Sequence, residues 1–231
     1  PAIALPMDSR QMIGSLTVFT TSKPAHLGKL FSLKDGQLVK GVAGNMYEGS
    51  YEVRTFDSRE GLADLLKTIG TDQAICASLP RTEATTGRLL TVEKAAAAGC
   101  VARTKVDFPF KATPGILTLD YDPPKEELAL SRDELWTRLI RVCPAADNAG
   151  AVWWSSGSSH IHGPEGELQG LRGQRLYLLI QDASDIERAG KVLADQCWLH
   201  GLGRVDISKS GSKLLRTLWD EAMHQPARLD F

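Results

Sequence analysis

The order of strand and helix patterns in the second half of the chain constrains its fold more than any other feature of the sequence. Each of two helix patterns begins with a capping box, Ser131 with Glu134 in the first and Ser184 with Glu187 in the second. Four strand patterns surround them, so the predicted order is β-α-β-β-α-β. The strands occupy 115–120, 151–156, 175–182 and 203–208, and the helices occupy 131–142 and 184–201.

This order is typical of the ferredoxin-like, or RRM-like, βαββαβ arrangement, in which two helices cover one face of a four-stranded antiparallel sheet. The first strand of that sheet is central and lies antiparallel to the third and the fourth. The end of 115–120 would then lie beside the starts of 175–182 and 203–208. We expect an α/β (α+β) fold with this sheet as its core.

The first half of the chain carries strand and helix patterns but no strong chemical motif. Strands are predicted at 15–20 and 51–56, and a helix with a capping residue is predicted at 57–70. We therefore expect residues 1–105 to form a small N-terminal α/β flanking module and residues 106–231 to form the core domain.

The composition excludes several classes of protein. Hydrophobic residues make up 42% of the 231 residues, yet no apolar run is long enough to span a bilayer and no segment has the features of a signal peptide. Cys76, Cys100, Cys143 and Cys197 are widely spaced, which argues against a disulfide scaffold or a structural zinc site. We expect a cytoplasmic protein without a membrane partner, excised from a longer chain.

Two aspartates close the first strand of the predicted sheet. In the run GILTLDYDPP, Asp120 and Asp122 are two residues apart, so an extended chain points both carboxylates to the same face. Such charges repel unless a cation or a salt partner lies between them. In the expected strand order, Arg175 approaches them from one side, and Arg204 and Asp206 approach from the other. Five charged side chains at one end of a sheet favour a functional site.

Three strings in the second half are distinctive: LTLDYDP, GLRGQRLYLLIQD and GLGRVDISKSGSKLLRTLWDEAMHQPARLDF. They resemble the primase–polymerase domains of the archaeo-eukaryotic primase superfamily, particularly those of phages, plasmids and other bacterial mobile elements. The resemblance covers about residues 115–231. It implies a DNA primase and polymerase that uses nucleoside triphosphates and a single-stranded DNA template, with a helicase domain elsewhere in the full-length protein.

The resemblance also implies roles for particular residues. In that superfamily a strand-end DxD binds divalent metal, and Asp120 and Asp122 match it. A histidine on a neighbouring strand contacts the nucleotide phosphates, and here Arg175 stands where that histidine would fall. Arginine binds phosphate well but does not donate a proton at neutral pH. The third metal-binding carboxylate is either Asp220 or Asp206, and both stay open.

The chemistry implied is nucleotidyl transfer assisted by two metal ions, for which oxygen ligands favour Mg²⁺ or Mn²⁺. Arg175, Lys209 and Arg216 would bind the triphosphate. Each has a simpler interpretation as well. Arg175 can form a structural salt bridge with Asp120, Lys209 can be a solvated turn residue, and Arg216 can brace Asp220.

Other functions fit parts of the sequence. His160 and His162 are spaced like the metal-binding histidines of rolling-circle initiator nucleases, but the tyrosine that follows them, Tyr177, lies in a strand, which favours a surface loop. A second alternative is a non-catalytic module that binds single-stranded nucleic acid by stacking bases on Tyr121 and Tyr177. A glycosyltransferase would use the same metal and diphosphate chemistry.

Neighbouring tryptophans on the second predicted strand give a further expectation. Trp153 and Trp154 are adjacent, so an extended chain points them to opposite faces of the sheet. One is expected in the core, and the other on the helix-free face or under a loop. The exposed ring would be a place for a base to stack.

Overall fold

The computed structural model describes residues 13–43, 45–124, 127–208 and 210–231. The fold is a mixture of helices and mostly antiparallel strands, as the α+β expectation requires. In chain order the elements are β1 (Gly14–Lys23), β2 (Gly28–Lys34), β3 (Gln37–Ala43), β4 (Glu48–Phe56), α1 (Arg59–Lys67), β5 (Gln73–Cys76), β6 (Thr86–Leu90), α2 (Val92–Ala98), β7 (Val101–Ala102), β8 (Gly115–Tyr121), α3 (Arg132–Val142), β9 (Ala151–Ser155), β10 (Ile161–Gly163), β11 (Gly166–Gln169), β12 (Gln174–Ile180), α4 (Ile186–Leu199), β13 (Arg204–Ile207) and β14 (Lys213–Arg216).

The N-terminal part is built on a five-stranded sheet in the order β5-β1-β4-β6-β7. Strands β1 and β4 contain the predicted runs at 15–20 and 51–56. The predicted helix at 57–70 forms as α1, which begins after Ser58, whose side chain accepts a hydrogen bond from the Gly61 N–H at 3.0 Å. The hairpin of β2 and β3 pairs with no other strand in the part of the chain that the structure describes.

The second sheet has the order β8-β12-β9 and is antiparallel throughout. These strands are the first, third and second of the predicted βαββαβ series, in the expected arrangement. The predicted capping box of Ser131 and Glu134 opens α3. The second box does not form, because Asp182 accepts the hydrogen bonds of Ser184 in a short 3-10 turn and α4 begins only at Ile186.

Both faces of this sheet are buried. Helices α3 and α4 pack on one face around Leu119, Leu135 and Leu193. The N-terminal part covers the other, where Ile116 and Tyr177 join a cluster with residues of β1 and α1. The N-terminal part therefore covers the helix-free face at Ile116 and Tyr177.

The predicted fourth strand does not join the sheet. Strand β13 forms, but among the described residues it pairs only with β14, and Val205 and Ile207 are 49% and 64% exposed. The free edge of β8 is taken instead by 217–224, in which Leu218 and Trp219 are buried. Burying a large apolar side chain is worth about 1.5–3 kcal/mol, which favours Trp219 over Val205 at this edge.

The last residues of the chain connect the two parts. Asp230 forms a two-bond antiparallel bridge with Ile75 in β5, and Leu229 packs in a buried cluster with Phe19 and Phe108. The predicted boundary near residue 105 lies between the two sheets, and the parts share buried clusters across it. The four cysteines are free thiols. No helix among the described residues is both long enough and apolar enough to cross a membrane.

Candidate functional site

A buried network of four polar side chains lies at the end of β8. Arg175 is opposite Asp120 in the β8–β12 register, and its guanidinium pairs with that carboxylate. Its Nε also donates to Asp230 Oδ1 at 2.7 Å, and the Tyr177 hydroxyl donates to Asp230 Oδ2 at 2.8 Å. Asp120 and Arg175 are only 7% and 6% exposed. The predicted approach of Arg175 to Asp120 is confirmed, and it takes the form of the salt bridge.

Burial dominates the electrostatics of this network. It raises the pKa of Asp120 to about 7, against the opposing effect of Arg175 and with a further upward contribution from Asp122. Burial acts to lower the pKa of Arg175, but the carboxylates of Asp230 and Asp120 outweigh it and hold that pKa above its ordinary value. The Tyr177 pKa is raised by burial and by Asp230. The Asp120 carboxylate would therefore gain from a further cation.

Asp122 lies just beyond β8, exposed to solvent and beside a loop that follows β9. We call residues 155–159 the serine loop; within it the Ser156 and Ser158 hydroxyl oxygens are 2.7 Å apart. A methyl group added at Gly173 would lie 2.6 Å from Asp122 Oδ1 and 2.9 Å from Ser158 Oγ, and would collide with Ser156 Oγ. Asp122 and the two hydroxyls thus surround one point above Gly173.

A cleft of about 670 Å³ borders the network and the serine loop. Its walls are the start of β2, the end of α1, the end of β9 and the last residues of the chain. Lys29, Lys67 and Arg175 line it, and the one carboxylate among the described lining residues is Asp230, which is already bonded to Arg175. Lys67 is also paired, with Asp64 at 2.8 Å, so three cationic side chains line the cleft and two of them are already in salt bridges.

Lys29 brings the N-terminal hairpin into this site. Burial lowers the pKa of its ammonium group, the Asp122 carboxylate acts in the opposite direction, and Arg175 and Lys40 lower the pKa further. These influences place the Lys29 charge within electrostatic reach of both the cleft arginine and the exposed aspartate. The sequence offered no sign of this residue, because it lies in a different strand pattern from the DxD.

Aromatic side chains also line the same cleft. Trp154 and Phe231 both contribute to its wall. Trp153 points the other way, as predicted, and its Nε1 donates to Gln174 Oε1 at 2.7 Å on the side of the helices. The two tryptophans thus occupy opposite faces, and Trp154 is the one that a ligand can reach.

Asp220 reaches β8 without becoming part of the sheet. Its main-chain N–H donates to the Asp120 carbonyl oxygen at 2.8 Å. Its carboxylate accepts a hydrogen bond from the Ala222 N–H at 3.1 Å and so caps the 3-10 turn Glu221–His224. The predicted proximity to Asp120 is found in the main chain, while the side chain is engaged locally.

The remaining predicted residues lie elsewhere. Asp206 belongs to the β13–β14 hairpin, where its carboxylate is 3.2 Å from Arg204 Nε and 3.9 Å from Arg216 Nε. The expected approach of Arg204 and Asp206 along the edge of β8 is wrong, because the hairpin does not join the sheet. Arg216 is paired with Asp206 and does not brace Asp220. Lys209 lies outside the described residues.

Two acidic side chains, Asp120 and Asp122, lie at the end of β8. Within the described ranges, no group of three or more histidine, cysteine or acidic side chains is arranged to hold a metal ion. Asp120 and Asp122 remain as two carboxylates; Asp120 is buried and paired with Arg175, and Asp122 is exposed. Mg²⁺ is commonly held by one or two carboxylates with substrate phosphates and water completing its shell. The residues present fit such an ion.

The histidine pair lies on the surface. Residues 160–169 form the small β10–β11 hairpin, in which His160 Nδ1 is 3.0 Å from Glu167 Oε1. The His162 side chain is exposed. Neither histidine lines the cleft. The surface interpretation of this pair agrees with the structure.

A scan of the chain against protein-family models returned no match, and neither did searches of curated proteins and of solved structures.

Proposed function

We propose that this chain is a nucleotidyltransferase, the DNA primase–polymerase domain of a mobile-element replication protein. The observation that carries the proposal is the cleft lined by Lys29 and Arg175, with the Asp120–Asp122 pair beside it. A triphosphate needs positive charge beside it, which Lys29 and Arg175 supply. A metal ion needs negative charge, which the two aspartates supply.

The cleft has the size and lining that a nucleotide requires. Ligand pockets commonly measure about 300–1,000 Å³, and 670 Å³ lies within that range. Lys29 and Arg175 are suited to the phosphates, and the ring of Trp154 is suited to stacking against a base. In this proposal the core is a variant of the ferredoxin-like sheet, with 217–224 in place of its fourth strand.

The side chains have distinct tasks in the proposed reaction. Mg²⁺ or Mn²⁺ bound by Asp120 and Asp122 would supply activation of the attacking hydroxyl and neutralisation of phosphate charge. Arg175 is held in place by Asp230, so its guanidinium keeps one orientation toward incoming phosphate. The Ser156 hydroxyl lies near Asp122 and lines the cleft, and in this proposal it would donate a hydrogen bond to the same phosphates.

The alternative of a non-catalytic binding module lacks its stacking surface. Tyr121 and Tyr177 are both buried, Tyr121 among the helix-side residues and Tyr177 against the N-terminal part. Their hydroxyls are also engaged, with Leu130 N–H and Asp230 respectively. The two side chains are only 5% and 4% exposed, so stacking of bases on them is not favoured.

The direct test is incorporation of labelled nucleotide on a single-stranded template, with and without a primer, in Mg²⁺ and in Mn²⁺. We expect products that depend on the metal and disappear when a chelator is added. Ribonucleotides and deoxynucleotides are supplied in separate reactions, and the unprimed reactions report chain initiation. The absence of product with either metal and either nucleotide class would contradict the proposal.

A substitution at Gly173 tests whether the serine loop and Asp122 act together. Gly173→Ala forces Asp122 and Ser156 apart, so we expect incorporation to fall by about 10- to 100-fold, the range that small misplacements of reacting groups produce. Gly170→Ala is the matched control, since its added methyl meets only the end of Glu167 at 3.9 Å. Gly173 is buried, so Gly173→Ala is expected to lose some stability, and activity is compared at a temperature at which thermal unfolding shows both variants to be folded. Equal activity of the two variants would remove the serine loop from the mechanism.

A further inference from the structure

The β2–β3 hairpin is a two-stranded ribbon that begins at the cleft. Its register runs from Gly28 opposite Ala43 to Lys34 opposite Gln37, and within the described ranges no other strand extends it. Lys29 and Leu30, at its base, line the cleft. The rest of the ribbon extends away from that point, with a turn at Asp35 and Gly36.

Alternation of side chains gives the ribbon two different faces. Lys29 and Phe31 of β2 lie on the same face as Lys40 of β3, because Phe31 is opposite Lys40 in the register. We call this the lysine face; its described members are Lys29, Phe31, Leu33, Leu38 and Lys40. The opposite face carries Leu30, Ser32, Lys34, Gln37, Val39 and Gly41.

Most of the charged side chains of the ribbon are positive. Residues 28–43 contain Lys29, Lys34 and Lys40 against a single acid, Asp35, at the turn. On the lysine face, Lys40 lies near enough to Lys29 to act on its charge, and Lys29 also lies within electrostatic reach of Arg175 in the cleft. A row of positive charge therefore runs from the ribbon into the cleft.

An aromatic ring interrupts this row. Phe31 is partly exposed and lies directly across from Lys40. Cations that alternate with an exposed ring suit a polyanion whose bases are unstacked, since the lysines bind its phosphates and the ring stacks with a base. A duplex keeps its bases inside the stack and gains nothing from such a ring.

We propose that the lysine face of the β2–β3 ribbon binds single-stranded nucleic acid and leads it to the cleft. A phosphate lies against Lys40, one base stacks on Phe31, and the strand continues toward Lys29 at the cleft. The binding itself is independent of catalysis, whereas identification of the strand as a template rests on the proposed nucleotidyl transfer.

The test compares matched substitutions on the two faces of the ribbon. Binding of a fluorescently labelled single-stranded oligonucleotide to the whole chain is followed by anisotropy at fixed salt. Lys40→Glu is paired with Lys34→Glu, which makes the same change of charge on the opposite face, and Phe31→Ala is paired with Val39→Ala. We expect Lys40→Glu and Phe31→Ala each to weaken binding about 10-fold or more, and the two controls to weaken it less than about 3-fold.

Three outcomes would overturn the proposal. Equal weakening by Lys40→Glu and Lys34→Glu would show that only net charge matters. Unchanged binding in Phe31→Ala would remove the stacked base. Tighter binding of a duplex of the same sequence would exclude recognition of single strands.

The same variants separate this proposal from the proposed function. If face-specific binding is found but no nucleotide is incorporated, the ribbon binds nucleic acid and the nucleotidyltransferase is excluded. If nucleotide is incorporated but binding does not depend on the lysine face, the enzyme stands and the ribbon proposal fails.

Discussion

Asp122→Asn is expected to lower metal-dependent nucleotide incorporation by about 100-fold or more, and Asp120→Asn is expected to do the same. Loss of a group that only supports a metal ligand already costs about 10- to 100-fold, and loss of the ligand itself should cost at least as much. Asparagine keeps the shape of each side chain and removes its charge. The measurement is the initial rate of incorporation at saturating Mn²⁺, together with a check that the folded state is intact.

Asp206→Asn is the matched control for these variants. Its carboxylate lies in the β13–β14 hairpin with Arg204 and Arg216, so the rate should stay within about twofold of the parent. Asp220→Asn examines the remaining position, because asparagine retains the oxygen that caps the Glu221–His224 turn. If Asp220→Asn loses activity, the loss is due to the missing negative charge and not to the loss of the cap. Full activity of Asp122→Asn would exclude the DxD as a metal site.

Asp230→Asn is expected to lower the free energy of unfolding by about 3 kcal/mol, because breaking a buried ion pair leaves an uncompensated charge. Both Arg175 and Tyr177 donate to this carboxylate, and the same residue forms the bridge to Ile75. Urea unfolding at pH 7 measures the change. A loss below about 1 kcal/mol would show that the ion pair with Asp120 is enough to compensate the buried charge of Arg175.

Asp120→Asn should differ from Asp230→Asn in its dependence on pH. The folded chain holds a proton on Asp120 up to about pH 7, whereas the unfolded chain releases it near pH 4, so the parent loses stability as pH rises between those values. The variant cannot titrate at this position. We therefore expect the stability of the parent relative to the variant to fall by roughly 2–4 kcal/mol from pH 4.5 to pH 8 in the presence of a chelator. Parallel pH curves for the two proteins would contradict the raised pKa.

Features that depend on neighbours in sequence were predictable. The capping box of Ser131 and Glu134 forms because its groups are three residues apart and both lie at a helix start. The position of Arg175 opposite Asp120 follows from an antiparallel pairing that leaves the apolar faces of β8 and β12 in register. The failure of the Ser184 box has an equally local cause, since Asp182 accepts the Ser184 N–H that the Glu187 carboxylate would accept in the box.

Features that depend on distant contacts were not predictable. Asp230 is 55 residues from Arg175 in sequence, and nothing near it indicates a buried ion pair. Lys29 reaches the cleft from the β2–β3 hairpin, which is far from the DxD in sequence. The serine loop offered one signal, the run SSGSS directly after a strand, because such small polar residues are common where a loop holds an anion.

The sequence by itself determined the local elements, the capping of α3, and the placement of two carboxylates at the end of a strand. It also determined that 203–208 would be extended, since its alternation is a local property. Only the tertiary structure decided which segment lies along the edge of β8. Leu218 and Trp219 have more apolar surface to bury there than Val205 and Ile207, and the Asp220 N–H satisfies the Asp120 carbonyl oxygen. That competition between distant segments for one buried edge has no signature in either segment alone.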